Sequence, residues 1–265
     1  MTPTLDFIKT IALNAGEILK NFAPEDLHIA HKNRKDLVTQ ADHQSERYLV
    51  KAIQEAFPGH AIVAEESGEW EGSPDHQWFI DPLDGTLNYA HGVPFYSVSI
   101  GYAFKGEMQL GVVYDPIREE MFSAQHGQGA SLNGVPMQVS QFTELVDCML
   151  VTGFPNEVDD SRDDNVANFF RLNNQAQTVR RLGSAALDTV YVAAGRMDGF
   201  WEIRIGQWDV AAGGLIVREA GGVVTNVYGD PDYLQKPPSI LCANPVIHQK
   251  MLAVLAEVRG ERQGG

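Results

Sequence analysis

Carboxylates at the ends of predicted strands are the residues of this chain best suited to chemistry. A short apolar run leads directly into Asp81 and Asp84, which are three residues apart. Pro82 fixes the backbone between them and Gly85 permits a close turn, so both carboxylates can point to one place, with the Leu83 carbonyl as another oxygen ligand. Magnesium prefers oxygen ligands, but Asp-Pro and Asp-Gly are also ordinary turn formers. This segment alone is therefore compatible with a metal site or with a simple turn.

Two further acidic positions favour the metal site. Glu65 and Glu66 follow a predicted strand, and Asp209 opens a predicted helix, at the positive end of the helix dipole. A solvated acidic pair and a helix-capping aspartate are each common. It is much less common for all three acidic segments to fall at strand ends or a helix start in one chain. Beside them, the backbone N–H groups of Gly85 and Thr86 can bind phosphate if a helix begins there.

Several longer motifs occur in a recognisable order. The segments KDLVTQAD, AEESGE, GQGASLNG and GSAALDTVYVAAGRMDGFWE accompany DPLDGTLNY at 81–89 and WDVAAGGLIVREAGG at 208–222. Together they resemble the inositol monophosphatase family of metal-dependent, lithium-sensitive phosphatases, and its bacterial members in particular. The similarity extends from about Leu5 to Ala256. It implies an α+β fold with alternating layers of helices and sheets, αβαβα, usually assembled as a homodimer.

The resemblance implies a centre that holds two or three Mg2+ ions. Glu65, Asp81 and the Leu83 carbonyl would hold the first ion. Asp81, Asp84 and Asp209 would hold the second, with Asp81 bridging the two ions at the roughly 3.5–4 Å separation of two-metal sites. A third, weaker ion near Glu65 also occurs in the family. Paired cations offset the charge with which a phosphate monoester resists attack, and they lower the pKa of a bound water.

The resemblance also implies which residues act on water and substrate. Thr86 matches the family threonine that orients the attacking water with an acidic partner, here Asp42, and Glu65 shares that work. From the residues alone, Asp42 is predicted to be an exposed charge in the turn before a helix. Lys32 lies near the position of a family lysine beside the metal loop, and Lys35 is also close. The implied substrate-binding residues are Asp84, Gly85, Thr86, Gly183, Ser184, Ala185, Glu202 and Asp209.

Glu202 bears on the choice of substrate. It lies seven residues before Asp209, as in family members that hold a polyol. Its carboxylate can accept hydrogen bonds from neighbouring hydroxyls and would repel a second phosphate, so we expect inositol monophosphate or a similar polyol phosphate. An ion pair with Arg204 is the alternative role for Glu202. Gly206 stands where animal members have a histidine. Arg204 adds a charge near the rim of the predicted pocket. Arg180 and Arg181 are compatible with a position on the substrate side or with a contact between subunits.

Two other functional hypotheses stay open. One keeps the phosphatase and changes the substrate to fructose bisphosphate, adenosine bisphosphate or NADP. The other is a regulatory binding protein that retains the fold. The intact acidic residues argue against an inactive scaffold, but they are compatible with a second role.

Composition limits the class of protein. The 265 residues are 44% hydrophobic and carry a formal net charge of -15. Such a surface repels phosphate backbones, which disfavours nucleic-acid binding, although bound divalent metals can still attract a small phosphate monoester. Cys148 and Cys242 lie far apart in apolar stretches, which predicts buried thiols, and the histidines lack the paired spacing of zinc ligands. Because neither a signal peptide nor a membrane span of about 18 apolar residues is recognisable, we expect a cytoplasmic protein.

Hydrophobic periodicity predicts the elements that must position these residues. In the first half, 1–150, it predicts helices at 5–22 and 42–57 and an antiparallel meander that includes a hairpin at 95–113. The second half, 151–265, is predicted to combine further helices with a mixed sheet and to carry the substrate residues. An acidic run at 157–164 is predicted to be a solvated loop or helix entry. Since no long linker separates the halves, we expect a single phosphatase domain over 1–265.

Overall fold

The computed structural model describes residues 2–22, 30–31, 37–155 and 165–263. Lys32 and the whole acidic run at 157–164 lie outside these ranges. Within them a short 3-10 helix covers Leu145–Asp147. The α-helices are α1 (Leu5–Lys20), α2 (Gln40–Ala56), α3 (Thr86–Ala90), α4 (Val166–Gln175), α5 (Ala185–Ala193), α6 (Gln207–Glu219) and α7 (Pro245–Gln263).

The strands of the described ranges form two large sheets and one small one. In spatial order, the eight-stranded sheet contains β10 (Val135–Pro136), β9 (Ala130–Leu132), β8 (Glu120–Gln125), β7 (Glu107–Asp115), β6 (Ser97–Phe104), β5 (Ser73–Asp84), β3 (His60–Ala64) and β4 (Gly68–Trp70). The five-stranded sheet contains β12 (Thr178–Arg180), β11 (Met149–Thr152), β13 (Gly199–Ile203), β15 (Ser239–Ala243) and β14 (Val223–Thr225). The small sheet pairs β1 (Ala30–His31) with β2 (Leu37–Val38).

Strand direction differs between the two large sheets. The eight-stranded sheet is antiparallel apart from the parallel pair β3–β5. In the five-stranded sheet, β12, β11 and β13 are parallel, whereas β15 runs antiparallel to both of its neighbours. The first sheet is thus largely a meander and the second is mixed.

Helices and large sheets alternate in layers. α1 and α2 pack against the eight-stranded sheet, α5 and α6 contact both large sheets, and α4 and α7 pack against the five-stranded sheet. Side chains alternate between the layers, since Phe200 of β13 joins the core between the sheets and the next residue, Trp201, joins the core beneath α4 and α7. This arrangement confirms the predicted α+β fold with layers in the order αβαβα.

α1 shows how the sequence pattern builds an outer layer. Thr4 precedes the helix, and its hydroxyl accepts a hydrogen bond from the Phe7 N–H at 3.3 Å. Ile8, Ala15 and Leu19 recur at helical spacing and are 0% exposed. Replacing a buried leucine such as Leu19 with alanine costs about 2–5 kcal/mol, so this apolar face accounts for much of the stability of the layer.

Two glycines let α6 approach its neighbours closely. A Cβ atom at Gly111 of β7 would lie 2.7 Å from the Ala212 carbonyl oxygen of α6. A Cβ atom at Gly213 of α6 would lie 2.7 Å from Cγ2 of Thr189 in α5. Real Cβ atoms do not pack this closely, so both positions require glycine at this separation of the layers. We call Gly111 and Gly213 the glycine seam, and their lack of side chains lets α6, with Asp209 in its first turn, lie this close to β7 and α5.

The longer predicted elements are confirmed, with ends that differ by a few residues. In the predicted hairpin, Lys105 and Gly106 both adopt left-handed backbone conformations, with φ of 52° and 80°, and connect β6 to β7. The sequence patterns did not predict α3 or the strands β9–β12. These elements contain two to five residues, too few to show a period.

Among the described residues, the helices lack the combination of length and apolar composition that crossing a bilayer requires.

Candidate active site

Three carboxylates from distant segments meet at the end of β5. Asp81 and Asp84 are in β5, and Asp209 is in the first turn of α6. One carboxylate oxygen from each lies within 4.8 Å of the other two. Asp81 is only 1% exposed and Asp84 8% exposed. We call these three residues the acidic cluster.

A β-bulge lets the two aspartates of β5 share one side of the strand. Residues three apart on a regular strand point to opposite faces. Here Asp81 pairs with Ser99 and Asp84 with Ser97 of β6, so β5 contains one extra residue between the two pairs. The extra residue reverses the alternation of side chains, as β-bulges do beside many active sites. The turn-forming sequence between the aspartates therefore serves to aim both at the same place.

Backbone donors orient the cluster. The Leu83 N–H donates to Asp81 Oδ1 at 3.0 Å. The Gly206 N–H donates to Asp209 Oδ2 at 2.8 Å, and Asp209 is the third residue of α6. Asp209 therefore helps to cap the helix and also faces the other two aspartates, and the helix N-terminus favours its negative charge.

Glu65 lies beside the acidic cluster but outside the group of three whose oxygens meet within 4.8 Å. It follows β3, the parallel neighbour of β5, and its N–H donates to the Ile80 carbonyl at 3.2 Å. Its partly buried side chain lines the same cavity as the cluster. The charge of Glu65 contributes to the raised pKa of Asp81, so Glu65 lies close enough to act on the cluster.

Burial and mutual repulsion disfavour the ionised form of the cluster. Burial raises the pKa of Asp81 well above its ordinary value, and the nearby charges of Glu65, Asp84 and Asp209 raise it further. Burial also raises the pKa of Asp209 well above its ordinary value and that of Asp84 to about 6. Carboxylates in this arrangement need a proton or a cation to offset their charge, so the site is suited to a divalent metal.

The N-terminus of α5 binds Asp84. The Ala186 N–H donates to Asp84 Oδ2 at 2.8 Å and the Ala185 N–H donates to Oδ1 at 3.2 Å. The hydroxyl of Ser184, the N-cap residue, also donates to Oδ2. These hydrogen bonds favour the charged form of Asp84 and oppose the effect of burial on its pKa. They join the predicted metal loop to the predicted substrate segment.

Thr86 and Asp42 form a hydrogen-bonded pair beside the cluster. The Thr86 hydroxyl lies 3.1 Å from Asp42 Oδ1 and 3.1 Å from the Leu83 carbonyl oxygen. Asp42 Oδ2 accepts the Thr39 N–H at 2.9 Å. Burial raises the pKa of Asp42, and the hydrogen bonds from Thr39 and Thr86 lower it.

The prediction from residues alone that Asp42 is an exposed turn charge is wrong. Asp42 is the third residue of α2 and is 0% exposed. Its hydrogen-bonding partner Thr86 is 44 residues away in the chain, so a pattern of neighbouring residues contains no sign of its burial.

A cavity of about 450 Å³ opens beside the cluster. Glu202 lies in its wall, where burial raises the pKa of the carboxyl to about 8, the charge of Asp84 adds to the shift, and Arg181 opposes it. Gly153 allows Glu202 this position, because a Cβ atom there would lie 2.2 Å from Glu202 Oε1.

Two residues of the cavity wall were not predicted. Asn88 Nδ2 donates to the carbonyls of Phe95 and Leu182, both at 2.8 Å, and ties the loop after β5 to the loop before α5. Asp188 is 1% exposed, and its Oδ1 has no hydrogen-bond partner among the described residues. Burial raises the pKa of Asp188 well above its ordinary value, and the charges of Glu202 and Asp84 add to the effect. A charged residue inside the otherwise apolar run of α5 was the signal that could have identified Asp188.

The structure brings the predicted site residues that it describes to one place. Asp42 lies behind Thr86, and Lys32 lies outside the described residues. Arg181 and Arg204 also line the cavity, whereas the side chain of Arg180, in β12, is exposed. The predicted residues that line the cavity are Glu65, Asp81, Leu83, Asp84, Gly85, Thr86, Gly183, Ser184, Ala185, Glu202 and Asp209.

Known proteins resemble this chain over nearly its whole length. The model of the inositol monophosphatase family matches residues 1–261. The Pseudomonas aeruginosa protein named Nus factor SuhB is 44% identical over 245 residues, covering 89% of this chain and 90% of that protein.

The solved structure of the inositol monophosphatase from Anabaena (Nostoc) sp. PCC 7120 is 42% identical, with a TM-score of 0.86, and the match covers 96% of this chain and 95% of that one. The solved structure of inositol monophosphate bound SaIMPase-II is 25% identical, with a TM-score of 0.81, over 97% of this chain and 95% of that one. The chain therefore belongs to the inositol monophosphatase family.

Proposed function

We propose that this protein is a Mg2+-dependent phosphatase that hydrolyses inositol monophosphate, or a similar polyol phosphate, to the free polyol and phosphate. The observation that carries the proposal is the convergence of Asp81, Asp84 and Asp209 within 4.8 Å beside a polar cavity. Membership of a phosphatase family supports the reaction class. The presence of inositol monophosphate in the SaIMPase-II structure supports the substrate class.

The donor set of the site fits Mg2+. We assign Glu65, Asp81 and the Leu83 carbonyl to one ion, and Asp81, Asp84 and Asp209 to a second, with room for a third near Glu65. These donors are all oxygens, and among the described residues neither histidine nor cysteine lines the cavity. Magnesium held by these oxygens would offset the charge of the phosphate and make a bound water more acidic.

Thr86 and Asp42 are placed to orient the attacking water. When the Thr86 hydroxyl donates its single proton to Asp42, its lone pairs are left to accept a hydrogen bond from a water in the cavity. Asp42 is fixed in turn by the Thr39 N–H, so the pair is preorganised. In our proposal Glu65 shares the work of orienting that water and accepts its proton. The water oxygen bonds to phosphorus as the ester P–O bond breaks, and the leaving polyol oxygen takes up a proton from solvent water in the cavity.

We assign Glu202 to the polyol, because its carboxyl can accept hydrogen bonds from substrate hydroxyls. We also assign Gly183, Ser184 and Ala185 to the substrate, since they line the same cavity beside Asp84. On the phosphate side, Gly85 adopts φ 97° as the N-cap residue of α3, and the first N–H groups of a helix have no partner within the helix. When its carboxyl is ionised, above its raised pKa of about 8, Glu202 would repel a second phosphate, which favours monophosphates.

The test is a panel of phosphate esters assayed with and without Mg2+, with lithium as an inhibitor. We expect inositol monophosphate to have a higher kcat/KM than fructose 1,6-bisphosphate, adenosine 3',5'-bisphosphate or NADP. Asp84→Asn should nearly abolish turnover, and Asp75→Asn, an exposed aspartate of the same strand, is the matched control. Wild-type turnover in Asp84→Asn at saturating Mg2+ would refute the assignment, and preference for a two-phosphate substrate would refute the role of Glu202.

A second candidate function is suggested by the name of a relative. The Pseudomonas aeruginosa relative is named a Nus factor, which favours a regulatory role in addition to catalysis. Macromolecules that copurify with this protein, together with a phenotype retained by an Asp84→Asn strain, would support that role. A phenotype lost together with activity would contradict it.

We propose that the protein acts as a cytoplasmic homodimer, as is usual in its family. Light scattering of the purified protein should give twice the mass of the chain, and a monomeric mass would contradict the assembly.

A further inference from the structure

α2 carries three buried polar residues on one face. Asp42, Ser45 and Glu46 are spaced three and four residues apart, which places them side by side on a helix. Asp42 and Ser45 are 0% exposed and Glu46 is 4% exposed. Buried polar groups on an otherwise apolar face carry a desolvation cost, so what they bind indicates why they are there.

Each of the three residues binds a different segment of the site. Asp42 accepts a hydrogen bond from the hydroxyl of Thr86, as described above. The Ser45 hydroxyl donates to the Pro82 carbonyl at 3.0 Å, between the two aspartates of β5. Glu46 Oε2 accepts the Glu66 N–H at 2.7 Å, immediately after Glu65. One helix face thus contacts the start of α3, the end of β5 and the segment after β3.

The contact of Ser45 reaches Asp81 through a single peptide unit. The Pro82 carbonyl and the Leu83 N–H are the two ends of one planar peptide group. Ser45 binds the oxygen end, and the nitrogen end donates to Asp81 Oδ1 at 3.0 Å. Fixing the plane of this peptide fixes the direction from which Asp81 accepts its hydrogen bond, and so the orientation of its carboxylate.

The contact of Glu46 reaches Glu65 in the same way. The Glu66 N–H belongs to the peptide group that also contains the Glu65 carbonyl. Because this group is planar, the 2.7 Å hydrogen bond to Glu46 limits rotation of the backbone on the C-terminal side of Glu65. The other side of Glu65 is held by the bond from its own N–H to the Ile80 carbonyl at 3.2 Å. The Glu65 backbone is thereby fixed from both directions.

We propose that Ser45 and Glu46 are positioning residues for the metal centre, which set the directions of Asp81 and Glu65 through the two peptide groups and thereby the affinity for Mg2+. This inference rests on the metal site of the proposed function. Neither residue touches the substrate or the reacting atoms in this scheme. Ser45 acts only on a metal ligand, so its effect is on metal affinity and the chemical step at saturating metal should be nearly unaffected. Glu46 also orients Glu65, which the proposed function involves in proton transfer, so its alanine variant should lower kcat in addition to metal affinity.

The experiment is a calorimetric titration of Mg2+ into metal-free protein, with kcat measured separately at saturating Mg2+. Residues that orient metal ligands typically change metal affinity about 10–100-fold when they are removed, so Ser45→Ala and Glu46→Ala should each raise the Mg2+ Kd at least about tenfold. Glu46→Gln retains an acceptor oxygen and should restore most of the affinity. Gln44→Ala, an exposed position on the same helix, is the control and should leave the Kd unchanged.

The outcomes separate this inference from the proposed function. Unchanged Mg2+ Kd in both alanine variants, with wild-type activity intact, would overturn the inference alone. If the alanine variants bind Mg2+ more weakly but the wild-type protein hydrolyses no phosphate ester, the proposed function alone would be overturned. Circular dichroism in EDTA checks that each variant is folded. Ser45→Ala removes only the side-chain oxygen, so the Mg2+ titration can still be made with this variant if Glu46→Ala does not fold. Equal loss in Glu46→Ala and Glu46→Gln would overturn the role of the Glu46 acceptor oxygen.

Discussion

Removing the metal should make the stability of this protein depend strongly on pH. Burial raises the pKa of Asp81, Asp84 and Asp209. An aspartate whose pKa is raised in the folded state costs nothing at a pH below its unfolded-state value. It destabilises the folded state increasingly as the pH rises to its folded-state value. The metal-free protein should therefore lose stability from about pH 4 upward, and bound Mg2+ should remove most of this loss by offsetting the charge.

Asp84 alone sets the minimum size of the effect. Its pKa rises from 3.8 to about 6. This change of about 2 units corresponds to about 3 kcal/mol at 1.36 kcal/mol per unit. Asp81 and Asp209 act in the same direction. About 1 kcal/mol of this cost is already present at pH 4.5, so about 2 kcal/mol develops between about pH 4.5 and 7.5. For a chain of this length 1 kcal/mol shifts Tm by roughly 2–4 °C, so the stabilisation by Mg2+ should grow by at least roughly 4 °C over this range.

The assay is thermal unfolding over this pH range, once in EDTA and once in saturating Mg2+. The difference between the two conditions at each pH removes the contribution of distant groups, such as His60 and His248, whose pKa burial lowers. The difference in Tm between the Mg2+ and EDTA conditions should widen as the pH rises. A difference that is the same at both ends of the range would refute the electrostatic account of the cluster.

Other substitutions test individual parts of the site. Thr86→Ala should lower kcat about 10²–10⁴-fold, which is the usual contribution of a group that guides proton transfer. Calorimetry should show unchanged Mg2+ binding, and loss of Mg2+ binding would contradict the proposed role of Thr86. Glu202→Gln should raise KM for inositol monophosphate more than for an ester without hydroxyls, and an equal change for both would contradict a polyol contact. Asp188→Asn should stabilise the metal-free protein in urea unfolding more at about pH 7.5 than at about pH 4.5, because it removes a buried carboxyl whose raised pKa makes ionisation unfavourable. An equal effect at both pH values would contradict this account. Gly111→Ala should cost about 1–3 kcal/mol in the same assay, and wild-type stability would show that α6 can move away.

The sequence could predict the parts of the fold that depend on neighbouring residues. α1 shows its apolar face at helical spacing, and the hairpin of β6 and β7 shows both its alternation and its turn at Lys105 and Gly106. The segment around Asp81 and Asp84 could also be recognised as a strand that ends in carboxylates. The order of the layers could not be predicted from periodicity, because an apolar face shows that a helix packs but not what it packs against.

The parts of the site that escaped prediction depend on distant pairs. The burial of Asp42 follows from its contact with Thr86, and the orientation of Asp84 follows from the N–H groups of α5, about 100 residues further along the chain. The β-bulge between Asp81 and Asp84 is defined by pairing with β6, which the sequence of β5 does not show. Asn88 likewise acts by joining two loops, at Phe95 and Leu182.

The glycine seam has a consequence for how inherited or selected variants of this protein are interpreted. Gly111 and Gly213 contribute nothing to the wall of the cavity, yet both allow the helix that carries Asp209 to lie close to its neighbours. A methyl group at either position would push that helix away and move one carboxylate relative to the other two, which should impair the proposed activity indirectly. A genetic screen for inactive alleles should recover such changes alongside those of the acidic residues, and they would be misjudged as neutral if only the residues facing the substrate were considered.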